Sequence, residues 1–215
     1  MRYGCSCDAR GCGSKKTLFA LEQARSDIAR RWQRWRSWQA GLDPQRLVFI
    51  DETWIKTNVA PLRGWGPKGK RLRSYAPHGH WRTLTMISSI RLDGSTACLA
   101  VDAPTDTEVF RVYVRDILCP TLRAGDLVIM DNLSPHKSEA TLCLIRKAGA
   151  KILFLPAYSP DLNPIEKMWS KIKACLRSAE ARTQVDLVQA IGAALQRVTG
   201  SDAMSWFASC GYSFI

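Results

Sequence analysis

The 215-residue chain is long enough for one large domain, or for one domain with a short appendage. Hydrophobic residues make up 46% of it and charged residues 23%, which excludes a wholly disordered chain. Its 31 Lys and Arg residues outnumber its 19 Asp and Glu residues, so the net charge is +12. This excess predicts a polyanionic partner, most commonly nucleic acid, and the alternative is a soluble protein that is merely basic.

The apolar runs and the cysteines indicate a compartment. The first thirty residues lack the apolar stretch of a secretory signal, and no apolar run approaches membrane-spanning length. Five of the eight cysteines lie singly in apolar segments, as reduced core residues do. Cys5, Cys7 and Cys12 cluster without a second Cys or His pair at zinc-site spacing, so a loose reduced tail is favoured over a metal knuckle. We expect a reducing, intracellular location.

The N-terminal part divides into two predicted segments. Residues 1–16 have no periodicity and are predicted to be a disordered lead-in. Residues 17–44 form a linker whose helix runs from about Thr17 to Ala40. This helix carries two interleaved sets of side chains, Trp32, Trp35 and Trp38, and Arg31, Arg34 and Arg36. Such a stripe either contacts DNA or packs onto the domain or a partner subunit; its helical spacing favours packing.

From residue 45 onward, strands and helices alternate. Two apolar runs each end in an acid, at Asp51 and Asp131, as central strands covered on both faces do. A Gly-, Pro- and Lys/Arg-rich loop (54–80) precedes a hairpin of Arg82–Ile90 and Thr96–Val101. The remaining predicted elements are helices at 105–118 (with a Thr105–Glu108 capping box), 135–148, 164–177 and 183–198, and a strand at 152–155. This order predicts a mixed α/β sheet with helices on both faces.

Asp51, Asp131 and Glu166 are the candidate catalytic and metal-binding residues. Ligands of open α/β sheets bind at the carboxyl ends of the strands, and Glu166 opens the helix after the last strand. Three carboxylates within about 5 Å repel by roughly 3 kcal/mol per pair, unless a cation or a proton intervenes. Hard oxygen ligands select Mg²⁺ or Mn²⁺, and two such ions suit phosphodiester displacement. Each acid alone also has a structural interpretation: Glu166 as a capping partner of Asn163, and the aspartates as turn residues.

Three segments resemble the motifs of bacterial insertion-sequence transposases related to the mariner superfamily. They are Phe49-Ile50-Asp51-Glu52-Thr53, Asp131-Asn132-Leu133-Ser134-Pro135-His136-Lys137 and Tyr158-Ser159-Pro160-Asp161-Leu162-Asn163-Pro164-Ile165-Glu166. The 34 residues between Asp131 and Glu166 also match that group, and the likeness covers roughly Lys15 to the C-terminus. It implies an RNase H-like fold over residues 45–215, with a mixed five-stranded sheet, an N-terminal helix and extra C-terminal helices.

The resemblance further implies DNA cleavage by water, followed by attack of a 3′-hydroxyl on target DNA. Asp51, Asp131 and Glu166 are then the acids that bind two Mg²⁺ or Mn²⁺ ions. The residues predicted to contact DNA are Asn132, His136 and Lys137 after the second acid, and Arg63, Lys68 and Lys70 in the basic loop. For His136 and Lys137 the alternative is a solvated surface pair; for the loop, it is a subunit contact or solvent. Glu52 is not counted as a ligand, since alternate strand residues point to opposite faces.

One departure from the family concerns the N-terminus, where no room precedes Thr17 for helix-turn-helix modules. We therefore expect a truncated transposase catalytic domain in the bacterial cytoplasm, associated with the nucleoid. Its expected partners are transposon-end and target DNA, in a homodimer or in mixed oligomers with intact transposase. The alternatives are an RNase H-like nuclease that cuts RNA–DNA hybrids or DNA junctions, and a catalytically idle DNA-binding or dimerising remnant.

Overall fold

A computed structural model of the chain describes residues 22, 25–60, 67, 69–71, 73 and 81–212. The regular elements in chain order are α1 (Ser26–Gln39), β1 (Leu47–Lys56), β2 (Thr83–Ile90), β3 (Thr96–Val101), α2 (Thr107–Tyr113), β4 (Leu127–Met130), α3 (Glu139–Lys147), β5 (Lys151–Phe154), α4 (Pro164–Ala179), α5 (Gln184–Leu195) and α6 (Gly200–Ser209). None of the helices in these ranges is long and apolar enough to cross a membrane.

The five strands form one mixed sheet in the order β3-β2-β1-β4-β5. The hairpin predicted for β2 and β3 is confirmed, and β2 also pairs antiparallel with β1. The other two strands, β4 and β5, join the opposite edge of β1 in parallel. The mixed sheet expected from the sequence is thus present, with parallel strands confined to one half.

Helices cover both faces of the sheet, and β1 shows why its sequence is continuously apolar. Leu47 and Phe49 face the helices α4, α5 and α6, whereas Val48 and Ile50 face α2 and α3. This alternation follows from the two-residue period of a strand. All four side chains are at most 1% exposed, and each such burial stabilises the fold by about 1.5–3 kcal/mol. The site-bearing strand is therefore held rigidly from both sides.

Helix α4 begins at Pro164, which occupies the first helical position, where its missing N–H leaves no intrahelical bond unmade. Besides Pro164, its buried residues recur at helical spacing and are Ile165, Met168, Trp169, Ile172 and Leu176. They lie against the same core as Phe49, so α4 is fixed across the face of β1 that carries odd-numbered residues. The first turn of α4, with Glu166, is thereby placed near the end of β4.

Two predicted helix starts are wrong. The helix predicted from Thr17 begins at Ser26, because Arg25 is extended; residues 17–21 lie outside the described ranges. The predicted capping box at Thr105 is replaced by Asp106, whose side chain accepts a hydrogen bond from the Val109 amide at 2.8 Å. Asp106 caps well because its carboxylate also complements the positive end of the helix dipole.

The helix predicted over 135–148 is two separate elements. Residues Ser134–Lys137 form a 3₁₀ turn, and α3 begins only at Glu139. Ser138 between them has φ −59° and ψ 119°, which no helix accommodates. Lys137 therefore lies at the end of a short turn and not in the first turn of α3.

Candidate active site

The two candidate aspartates are brought together by the parallel pairing of β1 and β4. The last paired residues are Phe49 and Ile129, and Asp51 and Asp131 each follow two residues later. Asp51 does not end its strand as predicted, because β1 stays paired with β2 as far as Lys56. Beyond Phe49, β4 separates from β1, and a cleft opens between the strands at the two acids.

Glu166 completes a shared cavity of about 410 Å³. Its lining includes Asp51, Asp131 and Glu166, and its remaining wall is largely the segment 155–160 before α4. The three acids that the sequence singled out therefore line one cavity. They come from β1, from the residue after β4 and from the first turn of α4.

Asn163 adds a buried amide group to this cavity. Its side-chain amide nitrogen approaches Asp51 Oδ2 at 3.5 Å, while its Oδ1 is buried without a hydrogen-bond partner. It makes no side-chain cap bond to α4, so the interpretation of Asn163 and Glu166 as a capping pair is wrong. The sequence did place Asn163 directly before the helix, but only as a candidate cap.

The electrostatics of the cavity show crowded carboxylates. Burial, followed by the charge of Glu166, raises the pKa of Asp51 to about 8. Burial also raises the pKa of Glu166; Lys173 opposes this shift, and Asp131 adds to it. Asp51 is consequently poised to hold a proton at neutral pH unless a cation takes that proton's place.

The donor chemistry of this cavity fits a divalent cation. Within the described ranges, no group of three or more His, Cys, Asp or Glu residues has the arrangement of a preformed metal site. The cavity nevertheless offers three carboxylates and the unpartnered Asn163 Oδ1, all hard oxygen donors of the kind that Mg²⁺ and Mn²⁺ select. A cation there would also relieve the mutual repulsion that raises the pKa values of Asp51 and Glu166.

His136 bridges two acids behind the cavity. Its Nδ1 lies 2.6 Å from Asp131 Oδ1 and its Nε2 lies 2.6 Å from Glu52 Oε1. Burial alone would lower the pKa of His136, but the hydrogen bonds to Asp131 and Glu52 outweigh it and raise the pKa to about 10. A charged imidazole donates from both nitrogens, so His136 can hold both carboxylates at once.

This bridge corrects the prediction that His136 approaches a phosphate. The residue is fully buried, its ring packs on Phe110 with centroids 4.2 Å apart, and both nitrogens are engaged. Glu52 points away from the cavity, as the strand period predicted, but this orientation is what lets it reach His136. The sequence signal available was the Asp131–His136 spacing across a short turn, which alone does not identify the Glu52 partner.

The other predicted DNA-contact residues fall into two groups. Asn132 is exposed and lines the cavity, and Lys137 is exposed one residue after the buried His136. Lys70 is also exposed, whereas Arg63 and Lys68 lie outside the described residues. The N-terminal Cys5, Cys7 and Cys12 lie outside them too.

Residues 46–188 match the family model of the DDE superfamily endonucleases. This match covers more than half of the 215 residues, and the chain therefore belongs to that family. None of the curated proteins compared with the chain matches it. The family match and the fold together define a DDE superfamily endonuclease domain.

Solved structures share this fold at low sequence identity. The Mos1 transposase in its paired-end complex with the left transposon end is 16% identical, with a TM-score of 0.69 over 93% of this chain and 63% of that one. The catalytic domain of Mos1 mariner transposase is 14% identical, with a TM-score of 0.51 over 88% and 94% of the two chains.

A more distant likeness is to a chain of the simian T-cell lymphotropic virus intasome, which is 13% identical with a TM-score of 0.50. It covers 72% of this chain and 48% of that one. These similarities establish the RNase H-like fold. The present chain spans 63% of the length of the Mos1 transposase in the paired-end complex.

Proposed function

We propose that this chain performs metal-dependent DNA strand cleavage and strand transfer, as the catalytic domain of a DNA transposase. The observation that carries the proposal is the convergence of Asp51, Asp131 and Glu166 on one 410 Å³ cavity. The three come from separate elements, and burial, together with the neighbouring carboxylates, raises the pKa values of Asp51 and Glu166. A merely structural arrangement gives no reason for three carboxylates to share a partly buried space.

In this proposal, Asp51, Asp131 and Glu166 hold two Mg²⁺ or Mn²⁺ ions. When bound, such ions activate the attacking oxygen and stabilise the leaving oxygen of a phosphodiester. Cleavage by water breaks a P–O3′ bond and leaves a 3′-hydroxyl. In strand transfer that hydroxyl forms a new P–O bond with target DNA, and the target's own 3′-oxygen leaves.

The chain's own residues would position these reactants. His136 holds one oxygen of Asp131, while the side chain of Asn163 approaches Asp51. We assign contacts with flanking phosphates to Asn132, which lines the cavity, and to the exposed Lys137, and we assign Arg63, Lys68 and Lys70 the same role. A net charge of +12 supports a DNA partner.

The proposed partners are transposon ends and target DNA, bound by a homodimer or by a mixed oligomer with intact transposase. Support comes from the Mos1 structure, whose name describes a paired-end complex with a transposon end. We further propose that the chain acts on DNA in the cytoplasm, at the nucleoid.

Nicking of supercoiled plasmid in Mg²⁺, Mn²⁺ or EDTA tests the proposal. Asp131→Asn should abolish nicking while it leaves the unfolding transition and non-specific DNA affinity nearly unchanged. The matched control is Asp186→Asn, the same change at an exposed acid on α5 that does not line the cavity. Nicking by Asp131→Asn at the wild-type rate would overturn the assigned site.

Other outcomes would identify a different activity. Folded wild-type protein that binds DNA but nicks nothing in any metal would indicate an idle DNA-binding remnant. Cleavage confined to RNA–DNA hybrids or to DNA junctions would indicate an RNase H-like nuclease that uses the same acids.

A further inference from the structure

A second groove lies beside the active-site cavity, between α1 and the segment that follows β4 and β5. This α1 groove has a volume of about 470 Å³. One wall consists of Arg31, Arg34, Trp35 and Trp38 from α1, and the other of Asn132 and residues 153–157. The active-site cavity shares Asn132, Leu155, Pro156 and Ala157 with it. The groove and the cavity are therefore adjoining spaces with a common wall.

The α1 wall is fixed relative to the active site by hydrogen bonds. Trp35 Nε1 donates to the Tyr212 hydroxyl at 2.9 Å, and that hydroxyl donates to the Leu162 carbonyl at 2.9 Å. Trp32 Nε1 donates to Asp161 Oδ2, also at 2.9 Å. Because Asp161 and Leu162 form the 3₁₀ turn just before α4, α1 is tied to the segment that carries Glu166.

The α1 helix thus uses its tryptophans and arginines differently. Trp35 is 8% exposed and packs into the core, which confirms for that residue the packing predicted from the sequence, whereas Trp38 remains 45% exposed at the groove. Arg31 and Arg34 are exposed, and they are the only charged residues in the groove lining of the described chain. A spacing of three residues places both on one side of the helix.

Within the described ranges, the guanidinium groups of Arg31 and Arg34 have no hydrogen bond, ion pair or ring contact. In contrast, Arg25 pairs with Asp27, Arg30 donates to the Ser26 carbonyl, and Arg36 lies over the Trp32 ring. Two unpaired guanidinium groups beside an exposed indole can bind phosphates while the indole packs on a sugar or base. No acid in the lining opposes an anion there.

We infer that the α1 groove binds the sugar–phosphate backbone of the DNA strand that continues from the scissile phosphate. This inference rests on the proposed function, since it takes the scissile phosphate to lie at Asp51, Asp131 and Glu166. A strand leaving that cavity across Asn132 enters the α1 groove directly. Arg31 and Arg34 neutralise its phosphates, and Trp38 contacts its sugar or base edge.

The test measures the affinity of the full chain for a fluorescent DNA duplex, without divalent metal, over a range of salt concentrations. Arg31→Gln and Arg34→Gln should each weaken binding on the order of tenfold. Each should also reduce the slope of log Kd against log salt by about 0.9, the value for one lost phosphate contact. Arg30→Gln is the control, because it removes the same charge from the same helix outside the groove.

Trp38→Ala supplies a second, charge-neutral variant. It should weaken binding while leaving the salt slope at the wild-type value, since stacking and packing release no counterions. In metal, all groove variants should still nick plasmid at saturating protein concentration, with the loss confined to apparent affinity.

Two results would overturn the inference. Affinities and slopes of Arg31→Gln and Arg34→Gln that equal those of Arg30→Gln would show that the groove does not bind DNA. Dissociation of an oligomer in these variants, with DNA affinity unchanged, would assign the groove to a second copy of the chain. If the wild-type protein nicks DNA, either result rejects the DNA-binding groove but leaves the proposed function in place. If the wild-type protein shows no metal-dependent nicking, the proposed function itself is wrong.

Discussion

Replacing His136 by Phe should slow DNA nicking by about 10- to 100-fold, the usual effect of losing a hydrogen bond that orients a metal-binding side chain. In the native site, His136 Nδ1 holds Asp131 Oδ1 at 2.6 Å, and the Leu133 amide donates to the same oxygen at 3.2 Å. Phe retains the ring packing on Phe110 but removes both nitrogens. The Asp131 carboxylate is then held by a single long hydrogen bond, and its orientation is no longer fixed.

The same variant should also lose stability. The Glu52 side chain is 13% exposed, so its carboxylate would be left nearly buried without its imidazole donor. An unsatisfied buried polar group costs about 1–3 kcal/mol, which urea unfolding at neutral pH measures. The readouts are the nicking rate of folded protein and the Mg²⁺ concentration at half-maximal rate, which should rise as Asp131 loses its orientation.

Phe110→Leu is the matched control for the packing contribution of His136. It disturbs the ring contact at 4.2 Å but leaves both hydrogen bonds of His136 in place. We expect it to lower stability by about 1 kcal/mol with little change in the nicking rate of folded protein. A His136→Phe variant that nicks at the wild-type rate, with an unchanged Mg²⁺ dependence, would refute the positioning argument.

Three further predictions concern the scaffold. Arg91→Met should lower the free energy of unfolding in urea by about 3–5 kcal/mol, because it leaves the Asp126 carboxylate buried without the guanidinium that lies 2.5 Å from it. Arg82→Met, at an exposed ion pair, should lower it by less than about 1 kcal/mol. Burial raises the pKa of Asp126, but the hydrogen bond to Arg91 outweighs burial and lowers the pKa below its ordinary value. The stability that this ion pair contributes is therefore present above about pH 4 and is lost as the pH falls through the folded pKa. The stability gap between wild type and Arg91→Met should therefore narrow in acid, and a constant gap would contradict this assignment. Gly94→Ala should destabilise the fold, because φ is +84° and an added Cβ would lie 2.7 Å from the backbone of residues 199–200; Gly192→Ala, in open helical space, should raise stability by about 0.5–1 kcal/mol in the same thermal melt.

The sequence predicted the sheet well because the physics that forms it is local. The continuous apolar runs before Asp51 and Asp131 indicate strands covered on both faces, and the structure has them as parallel neighbours. The start of α4 was predicted correctly, because Pro164 is its first residue and Pro is favoured at that position of a helix. The same signals placed the three acids at one edge of the sheet.

The first residues of the helices and the contacts of His136 could not be predicted from these local patterns. Thr105 and Asp106 are both suitable capping residues. Which of them caps α2 depends on backbone angles that the sequence does not reveal. The burial of His136 depends on the α2 residue Phe110 and on the β1 residue Glu52, which lie 26 and 84 positions away along the chain. A sequence pattern shows that polar residues follow Asp131, but tertiary packing decides which of them is buried.

The different burial of Trp35 and Trp38 in α1 also depends on long-range contacts. Three-residue spacing showed tryptophans and arginines on a helix without deciding which of them face the core. The decision comes from the distant hydroxyl of Tyr212, which accepts from Trp35 and leaves Trp38 at the surface. Long-range hydrogen bonds of this kind have no local sequence signature.

The most direct test of the account is the nicking rate of Glu166→Gln in Mg²⁺, measured beside wild type and Asp131→Asn. Glu166 is the acid contributed by a helix, and Gln preserves its size and its place in the first turn of α4. If the three carboxylates form one metal-binding site, Glu166→Gln should be folded and as inactive as Asp131→Asn. Nicking by Glu166→Gln at or near the wild-type rate would contradict a shared three-acid active site.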